Sequence, residues 1–324
     1  MSRSAADHVL RIGSTLTRVS DGGAVTRADI EAANPLILLI HGYTAHGERL
    51  GRLGQLLAEW CANEVSVPSA TVVVYSYNSF NGIDAAADTL GAKILGYCPV
   101  RNGQPDSSML QDKIVILSHS MGGLVARQFA SENPGFVRAL VMLGSPNDGV
   151  ATDAMLDLML KVAENIDDVP IPYMRLKSNK SRLQLTKKDV GPGGHFIDAL
   201  GRKWASLSRR PRTLTVSGAK PRLEVSGNKF VDAIINHKIQ SLMAGATNDG
   251  LVAELSVDMN GTVFSREAPE YLHLNTYPEY REINHSHLVD NEYLARFIYN
   301  WLTEGTGIGV KPVPVAETHL DARP

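Results

Sequence analysis

The segment Lys113–Val125, KIVILSHSMGGLV, carries an apolar run into Ser118-His119-Ser120-Met121-Gly122 and then into a helical pattern. A serine on a sharp strand-to-helix turn has its hydroxyl lifted above the sheet, and the strained backbone needs small residues two before and two after it. Ser118 and Gly122 supply both, although glycine is the more usual residue at the first of these places. The helix N-terminus beyond Ser120 also turns unpaired N–H groups toward developing negative charge. The chemistry such a serine can do is attack on a carbonyl, which needs two donors aimed at the oxyanion of the tetrahedral intermediate. The N–H of Met121, directly after the serine, is one candidate. The second is sought in the loop after an earlier strand, His41-Gly42-Tyr43, where Tyr43 is expected to act through its backbone. His41 is read as a residue that orders this loop by hydrogen bonds, not as a base.

A nucleophile elbow of this kind is followed along the chain by an acid and then a histidine. Thr247-Asn248-Asp249-Gly250-Leu251-Val252 sets Asp249 in a tight turn ahead of a short apolar run. Its rival is Asp148 in Ser145-Pro146-Asn147-Asp148-Gly149, in the loop after the strand that follows the elbow. The base lies in Ile283-Asn284-His285-Ser286-His287-Leu288-Val289, before a helix from about Asp290 to Leu302 with Tyr293, Phe297 and Trp301 on one face. From there a histidine can take the Ser120 proton and later deliver it to a leaving alcohol. His285 and His287 both fit on position alone.

These residues need a scaffold, and the hydrophobic pattern supplies one. LILLIH (36–41), TVVVY (71–75), KIVIL (113–117) and ALVML (139–143) are short continuous apolar runs bounded by turn residues, the signature of strands buried on both faces. Helical stretches at Leu50–Cys61, Ile83–Leu95 and Gly122–Glu132 alternate with them. That alternation predicts βαβ crossovers and a mostly parallel central sheet with helices on both faces. After Gly144-Ser145-Pro146 the next strand pattern, TLTVS (213–217), comes only roughly 65 residues later, so 147–212 is expected to hold an inserted cap or lid. Within it, Ala151–Ile166 aligns Met155, Met159, Val162 and Ile166 as an apolar stripe. The stripe either packs on the core or forms a mobile lid over an acyl pocket. The chain reads as one domain over 1–324 with a loose tail from 305 to 324.

His41-Gly42-Tyr43, Ser118-His119-Ser120-Met121-Gly122, Asn248-Asp249-Gly250-Leu251-Val252 and Asn284-His285, with Leu288 three residues on, together resemble the bacterial lipase and esterase group of α/β-hydrolases. The resemblance covers roughly 36–146 and 213–302. It implies the α/β-hydrolase fold, ester hydrolysis through an acyl-enzyme on Ser120, and His285 as the base, leaving His287 beside it or in the pocket. Some calcium-dependent lipases of this group carry an acid two positions after the catalytic histidine; His287 stands there, so a structural calcium site lacks that ligand. The same triad also serves amidases, thioesterases and acyltransferases, and the fold has noncatalytic binding members.

Composition narrows the partners. A net charge of -2 provides no basic field for nucleic acid. The basic cluster Lys177–Lys188 and the run Arg209-Arg210-Pro211-Arg212 are read as solvated loop surface. The expected partner is a small-molecule or lipid ester, with transient contact at a lipid interface if the lid opens there, and neither metal nor organic cofactor is required. Cys61 and Cys98 form no disulfide framework or ligand cluster. The opening MSRSAADHVLRIG lacks the apolar stretch of a secretory signal, so the expected location is the cytoplasm, with a secreted form whose signal has been removed as the alternative.

Overall fold

The computed structural model describes residues 14–43, 47–63, 70–150, 154, 157, 189–191, 195–224, 229–259, 270–274, 277 and 280–305. The predicted apolar runs are strands: β2 (Leu36–Ile40), β3 (Thr71–Ser76), β4 (Ile114–His119), β5 (Val137–Leu143) and β6 (Arg212–Ser217). Two short edge strands that the pattern does not reveal, β1 (Thr15–Arg18) and β7 (Glu270–His273), complete a sheet of order β1-β3-β2-β4-β5-β6-β7. Only β1 runs antiparallel to its neighbour.

Alternation along the strands divides the core. Leu36, Leu38 and Ile40 of β2 face one side with Ile114 and Ile116, against α3 (Ile83–Gly96) and α4 (Met121–Glu132). Ile37 and Leu39 face the other with Val115 and Leu117, against α2 (Gly51–Asn63) and α8 (Glu292–Gly305). Both faces of the inner strands are therefore dry, which is why they read as unbroken apolar runs.

Of the stretch 147–212, residues 195–205 form helix α5, whose buried Ile197, Leu200 and Trp204 pack it into the same layer as α4. Lys203 also reaches Glu132 at the end of α4 (3.0 Å). The Ala151–Ile166 stripe lies outside the described residues except for Ala154 and Asp157, both helical. The cluster Lys177–Lys188 and the tail 306–324 lie outside them too.

One expectation is corrected. The arginines of 209–212 are not free loop charges. Arg209 pairs with Asp112, Arg210 donates to the Ala205 carbonyl (3.1 Å), and Arg212 bonds Glu270 (2.9 Å) and the Trp301 carbonyl (2.7 Å) while stacking 3.9 Å over the Trp301 ring. They tie the start of β6 to its surroundings. In α8 the buried face is Leu294, Ile298, Trp301 and Leu302; of the aromatic row, Trp301 is buried, Phe297 partly buried and Tyr293 exposed. Among the described residues no helix is long and apolar enough to cross a membrane.

Candidate active site

Ser120 follows β4 directly and caps α4 with φ 54° and ψ −130°, a region a non-glycine residue enters only when its surroundings enforce it. Here the surroundings are hydrogen bonds and close packing. The Ser120 N–H donates to the Leu143 carbonyl on β5 (2.8 Å), and its own carbonyl accepts from Gly123 N–H (3.0 Å). A β-carbon on Gly122 would overlap the Ile40 and His41 carbonyl oxygens, and one on Gly42 would sit 2.8 Å from the Ser120 β-carbon. Both glycines are therefore needed to bring the loop after β2 against the elbow. Ser118, where glycine is usual, is accommodated because its hydroxyl donates to the Val141 carbonyl on β5 (2.9 Å).

The two expected oxyanion donors adjoin this approach in the chain, Met121 directly after Ser120 and Tyr43 directly after Gly42. Met121 is the first residue of α4, and its N–H has no acceptor within the helix. Tyr43 adjoins Gly42, half-buried, its ring against the core beneath. His41 is buried and does what the sequence reading assigned it. Its Nδ1 donates to the Gly42 carbonyl (2.8 Å), its Nε2 accepts from Tyr77 N–H (3.2 Å), and its ring stacks on Tyr77. With both nitrogens engaged it shapes the loop and has no lone pair left for proton transfer.

Asp249 and His285, the expected acid and base, come together from the segments that follow β6 and β7. Asp249 is fully buried. Its Oδ1 accepts from the N–H groups of Leu251 (3.0 Å) and Val252 (2.8 Å), and its Oδ2 accepts from His285 Nδ1 (2.8 Å). A carboxylate is retained in such a place only when its lone pairs are met, and here the turn itself meets them. The bond to Asp249 puts the imidazole proton on Nδ1 and leaves Nε2 free to accept one. Gly144, left-handed at φ 59°, supports the pair from below: a β-carbon there would lie 2.8 Å from His285 Nδ1 and 2.9 Å from Asp249 Oδ2. Gly144 follows Leu143, whose carbonyl holds the Ser120 N–H, so elbow and pair stand side by side at the carboxyl ends of β4 and β5.

Asp148 does not bond His285. It is exposed, its N–H is bound to the Ser256 carbonyl (3.2 Å), and burial of part of its carboxyl raises its pKa against the lowering effect of Arg127. His287, expected beside the base or in the pocket, is exposed, and its N–H donates to Asn284 Oδ1 (3.0 Å). The single helical turn at 286–289 carries it away from the site.

Three contributors escaped the sequence reading. His119 places Nε2 2.9 Å from the His285 carbonyl, with ring centroids 4.7 Å apart. Burial, and then the neighbouring His285, hold its pKa well below the ordinary histidine value. Arg49 donates to the Ser286 carbonyl (2.9 Å) and pairs with Asp290 (3.1 Å). Arg127, buried on α4, holds the Asn147 carbonyl (3.0 Å), and burial pushes its pKa down to about 10. Of these only His119 had a signal, its place beside the nucleophile. Among the described residues no group of three or more His, Cys, Asp or Glu side chains is arranged for a metal ion.

Sheet order and elbow together define the fold as that of the α/β-hydrolases. Residues 108–253 match the family model described as alpha/beta hydrolase fold, and the described strands and helices have that fold. No curated protein sequence matches it. Similar solved structures include phospholipase PlaB of Legionella pneumophila (17% identity, TM-score 0.45), for which the match covers 69% of this chain but only 44% of that one. Others are a Listeria innocua gene product (15%, TM-score 0.49, 86% and 96% covered) and a lipase-esterase related protein of Clostridium acetobutylicum (13%, TM-score 0.40, 85% and 95%).

Proposed function

We propose that the protein is a serine hydrolase of carboxylic esters in which Ser120 is the nucleophile, His285 the general base and Asp249 the supporting acid. The observation that carries this reading is the buried Asp249–His285 hydrogen bond at 2.8 Å, set beside an elbow whose serine has a positive φ. His285 Nε2 takes the Ser120 proton as the hydroxyl oxygen attacks the ester carbonyl. The Met121 and Tyr43 N–H groups receive the oxyanion, and Asp249 holds the tautomer and stabilises the imidazolium. The imidazolium returns its proton to the leaving alcohol, and water releases the acid from the acyl-enzyme by the same route. No step calls on a metal or an organic cofactor.

The test is hydrolysis of p-nitrophenyl esters of two to sixteen carbons by the wild-type chain and by Ser120→Ala. Turnover by the wild type, lost by roughly four to six orders of magnitude in the variant, is the expected result, and the chain-length preference separates an esterase from a lipase. A folded Ser120→Ala protein with near-normal turnover would overturn the assignment.

A further inference from the structure

We propose that His119 is a positioning residue that fixes the general base relative to the nucleophile, by holding the main chain of His285 from the segment that carries Ser120. The inference rests on the triad reading above. Its basis is where the two backbone polar groups of His285 go. The N–H donates to the carbonyl of Asp249 (2.8 Å), and the carbonyl accepts from His119 Nε2 (2.9 Å). The backbone of the base is thus suspended between the acid, 36 residues earlier in the chain, and the residue next to the nucleophile, 166 residues earlier.

The arrangement requires a particular form of His119. A carbonyl oxygen only accepts, so Nε2 carries a proton and donates, which a neutral ring does in its Nε2–H tautomer. Its surroundings favour that form: the ring is buried, and His285, Arg49 and His41 all disfavour a second proton. The donor must also reach the right distance. His119 ends β4, whose pairing with β2 and β5 fixes its place, so its imidazole is a spacer of set length between a rigid strand and a loop. Arg49, from the segment after β2, holds the next carbonyl, that of Ser286. Without His119 the loop keeps its bonds to Asp249 and Arg49 and loses the one that refers His285 to Ser120. A displacement of about 1 Å at a reacting group is worth on the order of a hundredfold in rate.

The experiment uses the pair of amides that mimic the two imidazole nitrogens. In His119→Gln the side-chain amide reaches the place of Nε2, and in His119→Asn only that of Nδ1. Steady-state ester hydrolysis is measured for both variants, alone and in a His285→Ala background, with circular dichroism to establish folding. The proposal expects His119→Asn to lose roughly 10- to 100-fold in kcat with little change in KM, His119→Gln to stay within a few-fold of wild type, and neither to lower the residual activity of His285→Ala further. Equal kcat for folded Asn and Gln variants would overturn it, as would an Asn loss that persists in full without His285, since the residue would then act through something else. If the Asn variant does not fold, Gln in place of His119 decides: a folded Gln variant that loses as much kcat as His285→Ala contradicts the spacer role. Failure of the triad reading itself shows separately, as full activity in Ser120→Ala.

Discussion

Ser120 is placed by its neighbours in sequence and by strand register, whereas Asp249 and His285 are placed by hydrogen bonds between segments far apart in the chain. On the nucleophile side, the pairing of β4 with β2 and β5, the glycines at 42 and 122 and the start of α4 determine where the hydroxyl goes. On the acid–base side there is no sheet ladder between the partners. Asp249 is held by the N–H groups of its own turn, and His285 by Asp249, His119 and support from Gly144. Rigid strand ends can carry a strained residue, because the sheet resists its relaxation. Loops bring an acid and a base together by partnering the polar groups that hold them, and here both Asp249 carboxylate oxygens and both main-chain groups of His285 are partnered.

The comparison predicts unequal sensitivities. The largest effect belongs to the acid. Asp249→Asn removes the acceptor that sets the His285 tautomer and should cut kcat by roughly three to four orders of magnitude, while Asp148→Asn should leave the rate within about twofold, as for a surface residue. Steady-state kinetics of the two variants decides which acid serves the base, and the reverse ranking would place it in the loop after β5.

Next is Gly144→Ala, which combines a left-handed backbone with a β-carbon driven into His285 and Asp249. It should destabilise by about 2 kcal/mol or more and lower kcat. The same substitution at Gly245, also left-handed but with open space around it, should lower stability by the backbone effect alone and spare activity. Urea midpoints and kcat on the two variants separate support of the pair from general strain.

A smaller effect concerns pH. The folded state holds His119 neutral with a pKa below the ordinary 6.5, so the unfolded chain binds the extra proton first as pH falls. The stability tied to this residue is fully present above pH 6.5 and is lost on moving down toward the folded pKa, by at most about 1.4 kcal/mol per pH unit. Urea denaturation at pH 8 and pH 5.5 should therefore show a smaller acid loss in His119→Gln than in wild type. Smallest of all, His287→Ala should change kcat and stability by no more than about 0.5 kcal/mol equivalent, its side chain being exposed.

The strands of the sheet were legible because inner strands dry on both faces leave unbroken aliphatic runs such as LILLI and ALVML. The edge strands TLTR and EYLH were not, since a half-exposed edge writes only a weak alternation. The elbow, the aspartate in its Asn-Asp-Gly turn and the histidine before α8 stand out in the sequence as candidates because local backbone chemistry restricts the residue types there. The choice between Asp249 and Asp148, the exposure of His287 and the tether from His119 depend on which loops meet, and no local pattern encodes that. Arg209 and Arg212 misled for the same reason: their partners, Asp112, Glu270 and the Trp301 carbonyl, lie 58 to 97 residues away.

The central claim, that Ser120 is a nucleophile activated by the His285–Asp249 pair, is tested most directly with a fluorophosphonate probe and peptide mapping of the adduct. The account predicts a single adduct on Ser120 in the wild-type chain, formed far more slowly in His285→Ala and slowly in Asp249→Asn. Labelling of a different serine, or of Ser120 at the same rate in all three proteins, would contradict it.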